Sequence, residues 1–308
     1  LDGVYKQPQS GRLVPTVILL GMLSIHLAWG QNEQNPERLD RYLTHLDTQN
    51  QAMGMVSLWK GDQEIYQRSW GWARLEDSIA LTQETPLRVG SISKTFTAVV
   101  IHRLVEKGKL SLQDTLWQWY PEIPHADSIT VEQLLNQTSG IGNYTAAPNY
   151  LSYHTAPIRK DSLLGKIAQL PSNHEPGKRF SYSNSNYALL TFIAEQVSGR
   201  FMQELIRRYV AQPLNLEHTG YGSMVTPAGD SVAPSYLPDG QGWKLADTTH
   251  WKVLRGAGSV YSTAEEIGRF YYGLLEGELL PPSRVKLMLP GDREYGHGLL
   301  SAPFYSRQ

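Results

Sequence analysis

Apolar residues near the start of the chain recur at two spacings, and each spacing predicts a different element. Residues 36–51 carry an apolar stripe at helical spacing, which predicts an amphipathic helix through Leu39, Tyr42, Leu43 and Leu46. Residues 53–60 and 64–72 are typical of strands, and the turn pair Gly61-Asp62 between them predicts a β-hairpin. This part of the chain therefore contributes both a helix and strands.

A longer apolar helix is predicted over residues 91–107, and Gly108 is suited to end it. Across residues 114–250 the pattern changes to short helices and long loops rich in Pro, Asn, Ser and Tyr. A helix over residues 187–197 continues this stretch, and Gly199 predicts its end. The middle of the chain is thus predicted to be mostly helical.

Two predicted helix starts carry the capping-box pattern, in which Ser or Thr is followed three residues later by Glu or Gln. Thr130-Val-Glu-Gln133 is the first, and Ser262-Thr-Ala-Glu265 opens a helix that extends to about Leu275. We expect the chain to return to its strand-bearing N-terminal part near Gly256.

Composition narrows the possible functions. The formal net charge of −1 offers no basic field for nucleic acid, so we expect no nucleic-acid partner. Cysteine is absent, which excludes disulfides, cysteine nucleophiles and Cys-ligated zinc. The nine histidines form no His-Glu-x-x-His motif, and we predict neither a metal site nor a cofactor.

The N-terminus predicts export. Lys6 and Arg12 precede an apolar stretch over residues 13–29, and Ala28-Trp-Gly30 fits a signal-peptide cleavage site. We predict a signal peptide over residues 1–30. The alternative is an uncleaved membrane anchor, although the stretch is at the short limit of the roughly 17–25 residues that span a bilayer. Both interpretations predict a periplasmic or secreted protein, with membrane contact only if the segment stays uncleaved.

Candidate chemistry begins with Gly90-Ser-Ile-Ser-Lys94. A serine hydroxyl is a poor nucleophile until a base removes its proton, and a lysine with a lowered pKa is such a base. Positions i and i+3 share a helix face, with Cβ atoms roughly 5–6 Å apart, so Ser91 and Lys94 are expected to be neighbours. The helix N-terminus would favour an alkoxide and disfavour an extra lysine charge.

The pattern Ser-x-x-Lys is weak alone, because it also occurs at Ser57/Lys60 and Ser283/Lys286. Ser57 lies in a predicted strand, where residues three apart point to opposite faces. Ser283 follows two prolines in a polar stretch, and we predict that it caps a surface helix. Ser91 alone combines a preceding glycine with a helix start and a strongly apolar helix. Its alternative is an ordinary helix cap beside a solvated lysine.

A second element, Phe180-Ser-Tyr-Ser-Asn184, ends a loop and leads into the helix predicted from Tyr187. Tyr182 is suited to shuttle a proton between the serine, the lysine and a leaving group. Asn184 is suited to bridge the lysine and a substrate carbonyl, because its amide both donates and accepts. The alternative is a tyrosine packed on the core beside a helix-capping asparagine.

Taken together, Ser91-Ile-Ser-Lys94 and Tyr182-Ser-Asn184 resemble the active-site-serine penicillin-recognising enzymes, most closely the class C β-lactamase and D-alanyl-D-alanine carboxypeptidase group. The resemblance covers about residues 38–300 and includes, in family order, Leu104-Val-Glu-Lys-Gly-Lys-Leu110, Leu134-Leu-Asn-Gln-Thr-Ser-Gly140, Pro213-Leu-Asn-Leu216 and Gly256-Ala-Gly-Ser-Val-Tyr-Ser-Thr-Ala264. In this combination the motifs are highly specific.

The resemblance implies an α/β (α+β) fold of β-lactamase/transpeptidase type, in which an antiparallel sheet is flanked by helices and carries an inserted, mostly helical domain. We assign residues 31–308 to this domain. Its sheet part is expected over residues 36–112 and 251–308, and its helical part over residues 113–250.

The resemblance also implies the roles of the site residues. Ser91 would be acylated, Lys94 and Tyr182 would move its proton, and Asn184 would help bind the substrate. The backbone N–H of Ser91 would be one donor of the oxyanion hole. The implied partner is a small-molecule or peptide substrate, including peptides derived from peptidoglycan.

One departure from the family pattern concerns its third motif, Lys or His followed by x-Gly on a strand. His218-Thr-Gly220 has the letters but lies in the helical part, and we interpret it as structural. Tyr295-Gly-His-Gly298 resembles the strand that precedes the motif, and the sequence stops at Gln308 before the motif would occur. His297 is either a substitute or, as we prefer, a structural residue. We therefore expect a C-terminally truncated piece that lacks the last sheet strands.

The substrate stays open between β-lactams, D-amino-acid peptides and esters. An alternative of another class is a non-catalytic protein of the same fold that binds or senses cell-wall peptides, and a third is an inactive fragment of an enzyme. Aromatic residues of the middle region either line a cleft for an apolar acyl group or pack in the core: Trp117, Trp119, Tyr120, Tyr144, Tyr150 and Tyr153.

Overall fold

The computed structural model of the chain describes residues 36–222, 232–240 and 242–300. It divides into two compact units, Leu1–Gln51 and Ala52–Gln308. In the first unit, helix α1 spans Pro36–Thr48 and confirms the helix predicted from the apolar stripe. None of the described helices is long and apolar enough to cross a membrane. The apolar stretch over residues 13–29 lies outside the described residues.

The second unit begins with the predicted β-hairpin. Strands β1, Gly54–Lys60, and β2, Gln63–Trp70, pair antiparallel along their length. Gly61 has a φ of 61° in the connecting turn, where glycine avoids the cost that a side chain would carry. The hairpin predicted from Gly61-Asp62 is thereby confirmed.

The remaining strands are short and, in the described part of the chain, pair antiparallel in small groups. Two groups are pairs, β3–β4 and β7–β8, and one is a three-stranded sheet in the order β5–β9–β6. Their bounds are β3 Trp72–Arg74, β4 Ile79–Ala80, β5 Leu87–Arg88, β6 Gly220–Tyr221, β7 Tyr236–Pro238, β8 Trp243–Leu245 and β9 Val260–Ser262. The mixed α/β class is confirmed. Strands β6 to β8 lie inside residues 113–250, the part predicted to be mostly helical, and the division of the domain at residues 113 and 250 stays a prediction.

The helices of the second unit supply most of its core. They are α2 Ser93–Glu106, α3 Val131–Leu135, α4 Lys160–Ala168, α5 Asn184–Ser198, α6 Met202–Ile206, α7 Trp251–Leu254, α8 Ala264–Leu275 and α9 Pro282–Met288. Most residues of helices α2 and α5 are buried, including several polar ones. The aromatic residues Tyr120 and Tyr144 are buried in the same core, so they do not line a cleft.

Three helix ends predicted from the sequence are present. The capping box at Thr130 forms in both directions with Gln133. Gly108 and Gly199 follow the ends of α2 and α5 with φ values of 63° and 68°. These signals are local, so the sequence suffices to find them.

Two other helix starts differ from the prediction. The cap of α8 is Thr263, whose Oγ1 accepts from the backbone N–H of Glu266, so the predicted box at Ser262 is wrong by one residue. The cap of α9 is Pro281, and Ser283 lies exposed within the first turn, so the predicted serine cap is also wrong.

Candidate active site

Ser91 lies in a short 3-10 turn, Gly90–Ile92, that connects strand β5 to helix α2. The prediction placed Ser91 on the α-helix itself, which instead begins at Ser93. Gly90 has a φ of 53°, in the left-handed region that favours glycine. Ser91 is exposed, and the first N–H groups of such a turn have no partner within it.

Strand β9 fixes this turn from one side. The backbone N–H of Val89 donates to Val260 O at 3.1 Å, and the backbone N–H of Val260 donates to Ser93 Oγ at 2.9 Å. Both ends of the turn are therefore hydrogen-bonded to one strand, which holds Ser91 in place.

Lys94 lies one turn after Ser91, with only 1% of its surface exposed. Its Nζ donates to Ser91 Oγ at 3.1 Å and to the backbone oxygen of Ala257 at 2.8 Å. Burial lowers the pKa of Lys94 from 10.5 to about 7, because a charged ammonium loses its hydration there. A substantial fraction of Lys94 is therefore neutral at neutral pH.

Tyr182 also contacts Ser91, although it lies 91 positions later in the sequence. Its hydroxyl donates to Ser91 Oγ at 2.8 Å, and Lys94 Nζ lies 4.8 Å from its ring centroid. Burial raises the pKa of Tyr182, and the hydrogen bond to Ser91 partly offsets this. Tyr182 is thus a neutral hydroxyl at neutral pH.

Tyr295 supports the ring of Tyr182. Its ring meets that of Tyr182 edge-to-face at 6.2 Å and stacks on Phe180 at 5.7 Å. The segment Tyr295-Gly-His-Gly298 also contacts α2, where Thr95 Oγ1 donates to Gly298 O at 2.8 Å. This family-like segment therefore packs beside the site.

Asn184 opens α5, two residues after Tyr182, and is turned toward a neighbouring loop. Its Nδ2 donates to Thr145 Oγ1 at 2.7 Å, and its backbone N–H donates to Asn143 Oδ1 at 3.1 Å. Thr145 Oγ1 gives its own proton to Asn143 Oδ1, which fixes the amide nitrogen of Asn184 toward Thr145. Among the described residues, no hydrogen bond joins Asn184 to Lys94, so the predicted bridge is not formed here.

The remaining sequence candidates have structural contacts. The backbone N–H of His218 and the Thr219 hydroxyl both donate to the Glu266 carboxylate, in agreement with a structural role. Ser57 Oγ donates to Glu64 across the hairpin. His297 is fully buried, and its Nδ1 lies 3.0 Å from Nε2 of His102 on α2. Within the part of the chain that the structure describes, no group of three or more His, Cys, Asp or Glu side chains could hold a metal ion.

Several residues at the site were missed at the level of sequence. Ala257 lies inside a motif that carried the family resemblance, so a signal was present without a role attached to it. Asn143 and Thr145 had no signal, because their contacts with Asn184 depend on a loop 39 to 41 positions away in the sequence.

Comparison with known proteins shows the family of the chain. The Beta-lactamase family model matches residues 39–298. A protein of Bacillus subtilis (strain 168) named as a penicillin-binding protein, PbpX, is 27% identical over 279 residues, which cover 87% of this chain and 66% of that protein. The chain thus spans about two thirds of the length of this relative.

Solved structures agree. The penicillin binding protein from Bacillus halodurans has a TM-score of 0.73 at 27% identity, with 83% of this chain and 81% of that chain covered. A D-stereospecific amidohydrolase from Streptomyces sp. has a TM-score of 0.59 at 29% identity, with 70% of each chain covered. Because the family model matches most of its length, the chain belongs to the Beta-lactamase family.

Proposed function

We propose that the chain is a serine hydrolase that forms an acyl-enzyme at Ser91 on amide, β-lactam or ester substrates. The observation that carries the proposal is the meeting of three groups: Ser91 Oγ lies 3.1 Å from Lys94 Nζ and 2.8 Å from the Tyr182 hydroxyl. Ser91 is exposed, so a substrate carbonyl can reach it.

In the proposed mechanism Lys94 is the general base. Its neutral amine keeps a hydrogen bond to the backbone oxygen of Ala257 and presents its lone pair to the Ser91 hydroxyl. As Ser91 Oγ bonds to the carbonyl carbon, its proton passes to Lys94 Nζ. A base with a pKa near the operating pH is the most effective for such a transfer.

Tyr182 is the proposed proton carrier on the other side of Ser91. Its hydroxyl is protonated at neutral pH and reaches Ser91 Oγ, so it can pass a proton to the amine or alkoxide that leaves when the tetrahedral intermediate collapses. Lys94 Nζ then returns the proton that it took to the Tyr182 oxygen, so that both groups regain their starting states. Water attacks the acyl ester and passes its proton to the neutral Lys94, and Ser91 Oγ takes this proton when the acid leaves. The backbone N–H of Ser91 is the proposed oxyanion donor; such a donor contributes on the order of 3–4 kcal/mol to the barrier.

The names of the relatives support the substrate class. Penicillin-binding proteins and a D-stereospecific amidohydrolase are among them, which favours amide and β-lactam substrates next to a D-configured centre. Asn184 is the proposed substrate-binding side chain, with Thr145 holding its amide. We further propose export, on the sequence pattern of residues 13–29 alone.

Covalent labelling tests the proposal. A fluorophosphonate and a fluorescent penicillin are each incubated with the chain, and the adduct is located by intact-protein and peptide mass spectrometry. We expect labelling at Ser91, none in Ser91→Ala, and unchanged labelling in Ser283→Ala, the exposed serine that also has a lysine three residues later. Penicillin binding without any adduct on Ser91 would instead favour the non-catalytic binding protein.

A further inference from the structure

Gln137 lies next to residues 181–183, the segment that carries Tyr182, and has no role in the proposed mechanism. It follows α3 and is fully buried, with a φ of 62°. A non-glycine residue at this φ is uncommon and carries a backbone cost. The surrounding structure must therefore hold Gln137 in place, and its hydrogen bonds show how.

The residues directly before and after Tyr182 both donate their backbone N–H groups to Gln137. The N–H of Ser181 donates to Gln137 O at 2.9 Å, and the N–H of Ser183 donates to Gln137 Oε1 at 3.0 Å. The backbone N–H groups of the residues before and after the tyrosine are thus both held by Gln137, one through its backbone carbonyl and one through its side-chain oxygen.

A second buried amide fixes the acceptor oxygen of Gln137. Asn186 Nδ2 donates to Gln137 Oε1 at 2.6 Å, and Ser139 Oγ donates to Asn186 Oδ1 at 2.6 Å. All three side chains are buried, so water cannot replace these bonds at low cost. The orientation of the Gln137 amide is therefore set from the core.

The side chain of Tyr182 needs such support. It is 38% exposed, and the hydrogen bond of its hydroxyl is to Ser91 itself, the group that reacts. Its position before reaction therefore depends on the backbone of residues 181–183 and on Tyr295 at its edge. A displacement of about 1 Å at such a group can cost roughly 10²-fold in rate.

We propose that Gln137 is a positioning residue, which sets the distance between the Tyr182 hydroxyl and Ser91 Oγ by holding the backbone N–H groups of Ser181 and Ser183 on either side of Tyr182. For its effect on rate, this inference rests on the proposed function. Gln137 touches neither Ser91 nor a substrate carbonyl in this account; it acts only through Tyr182.

A double-mutant cycle tests the proposal. The rate of fluorophosphonate labelling at Ser91 is measured for Gln137→Met, Tyr182→Phe and the double variant. We expect Gln137→Met to lose about 10- to 100-fold in the wild-type background and little in the Tyr182→Phe background, since residues that act as a unit are not additive. Gln137→Glu, which keeps an acceptor oxygen, should recover most of the loss.

Glu195→Gln is the matched control. Glu195 also accepts a backbone N–H, that of Met202 at 3.1 Å, but at the far end of α5. Its labelling rate should stay within about 2-fold of wild type, as expected of a site without contact to the reacting groups. Gln137→Asn, whose shorter side chain withdraws the acceptor by about 1.5 Å, serves if Gln137→Met does not fold. Equal losses in both tyrosine backgrounds would overturn the proposal.

A readout without chemistry separates this inference from the proposed function. The titration of Tyr182 is followed by nuclear magnetic resonance of ring-labelled tyrosine, with the signal assigned by Tyr182→Phe. We expect the pKa of Tyr182 to rise further in Gln137→Met, because a lengthened contact with Ser91 no longer offsets the effect of burial, and to stay unchanged in Glu195→Gln. If Ser91 is never labelled but this shift occurs, the positioning role stands and the hydrolase function fails; a pKa unchanged in Gln137→Met contradicts the positioning role.

Discussion

Helix α2 carries two buried basic groups, Lys94 and His102, which differ in whether their neighbours meet solvent. Both have a pKa lowered by burial, to about 7 for Lys94 and to about 3 for His102, where His297 and Arg284 add to the effect. They lie eight residues apart, or about 12 Å along the helix axis.

Access is what differs between the two groups. Lys94 contacts Ser91, which is exposed, and the ring of Tyr182, which is 38% exposed. His102 contacts His297, and both rings are completely buried and stacked at 5.2 Å. A pKa shifted by burial therefore marks a candidate for chemistry only where a reacting group beside it meets solvent. The histidine pair is the contrast, since burial there affects stability rather than reactivity.

The largest expected effect is that of Lys94→Met, which keeps most of the length of the side chain and removes the base. Ser91 labelling by a fluorophosphonate should slow by about 10²- to 10⁴-fold, the usual contribution of a general base. His102→Gln should leave the rate close to wild type in folded protein. If the two variants slow labelling equally, the distinction drawn between the two groups is wrong.

Tyr182→Phe removes only the hydroxyl that reaches Ser91. We expect a loss of about 10²-fold in the labelling rate, with a melting temperature near that of wild type because the side chain is partly exposed. Stopped-flow labelling and thermal unfolding measure both quantities. A full-rate variant would show that Lys94 alone manages the proton.

The histidine pair predicts a fall in stability on acidification. The pKa values of His102 and His297 are lowered from 6.5 to about 3 and about 4, chiefly by burial, with Arg293 also acting on His297. Below pH 6.5 the unfolded chain therefore binds protons that the folded pair does not, so stability present above this pH is lost toward about pH 4. Each such proton costs about 1.4 kcal/mol per pH unit.

Urea unfolding across this pH range measures the effect. Wild type should lose free energy of unfolding more steeply than His297→Gln, which has one fewer buried group to protonate. Lys94→Met should keep the wild-type slope between about pH 6.5 and 4, because Lys94 is charged in the unfolded chain and in most folded molecules there. Parallel curves for wild type and His297→Gln would contradict the account.

Thr145→Val has the smallest expected effect. It removes the acceptor that holds the Asn184 amide, a hydrogen bond of about 1 kcal/mol net, or roughly 5-fold. We expect weaker binding of a fluorescent penicillin before acylation, with the acylation rate constant nearly unchanged. The concentration dependence of labelling separates the two terms. A selective fall in the rate constant would place Asn184 in the chemical step instead.

The fold could be predicted from sequence where its signals are local. The hairpin at Gly61, the end of α5 at Gly199 and the box at Thr130 each depend on residues within a few positions. The cap of α8 was missed because two overlapping patterns fit there: Ser262 with Glu265, and Thr263 with Glu266. Ser262 Oγ lies 2.7 Å from Thr219 Oγ1, a contact 43 positions away in the sequence, which leaves Thr263 as the cap. Tertiary hydrogen bonds of this kind override a local pattern.

The candidate site divides in the same way. Ser91 and Lys94 could be paired by spacing, and Tyr182 was found through a motif. The tyrosine's support by Gln137 and the burial of His102 against His297 join positions 45 and 195 residues apart, respectively, and nothing in the local sequence indicates either contact. The resemblance to a family indicated which residues meet, whereas only the structure shows which of them are held by the core.

The role of Lys94 as the general base is tested by the pH dependence of Ser91 labelling. The rate constant for fluorophosphonate labelling is measured from about pH 5 to 9, a range centred on the pKa of Lys94. If Lys94 is the base, the rate constant rises with pH and reaches half its maximum near pH 7, as Lys94 loses its proton, and this step is lost in Lys94→Met. A rate independent of pH in wild type, or an identical step in Lys94→Met, would contradict the assignment of Lys94 as the base.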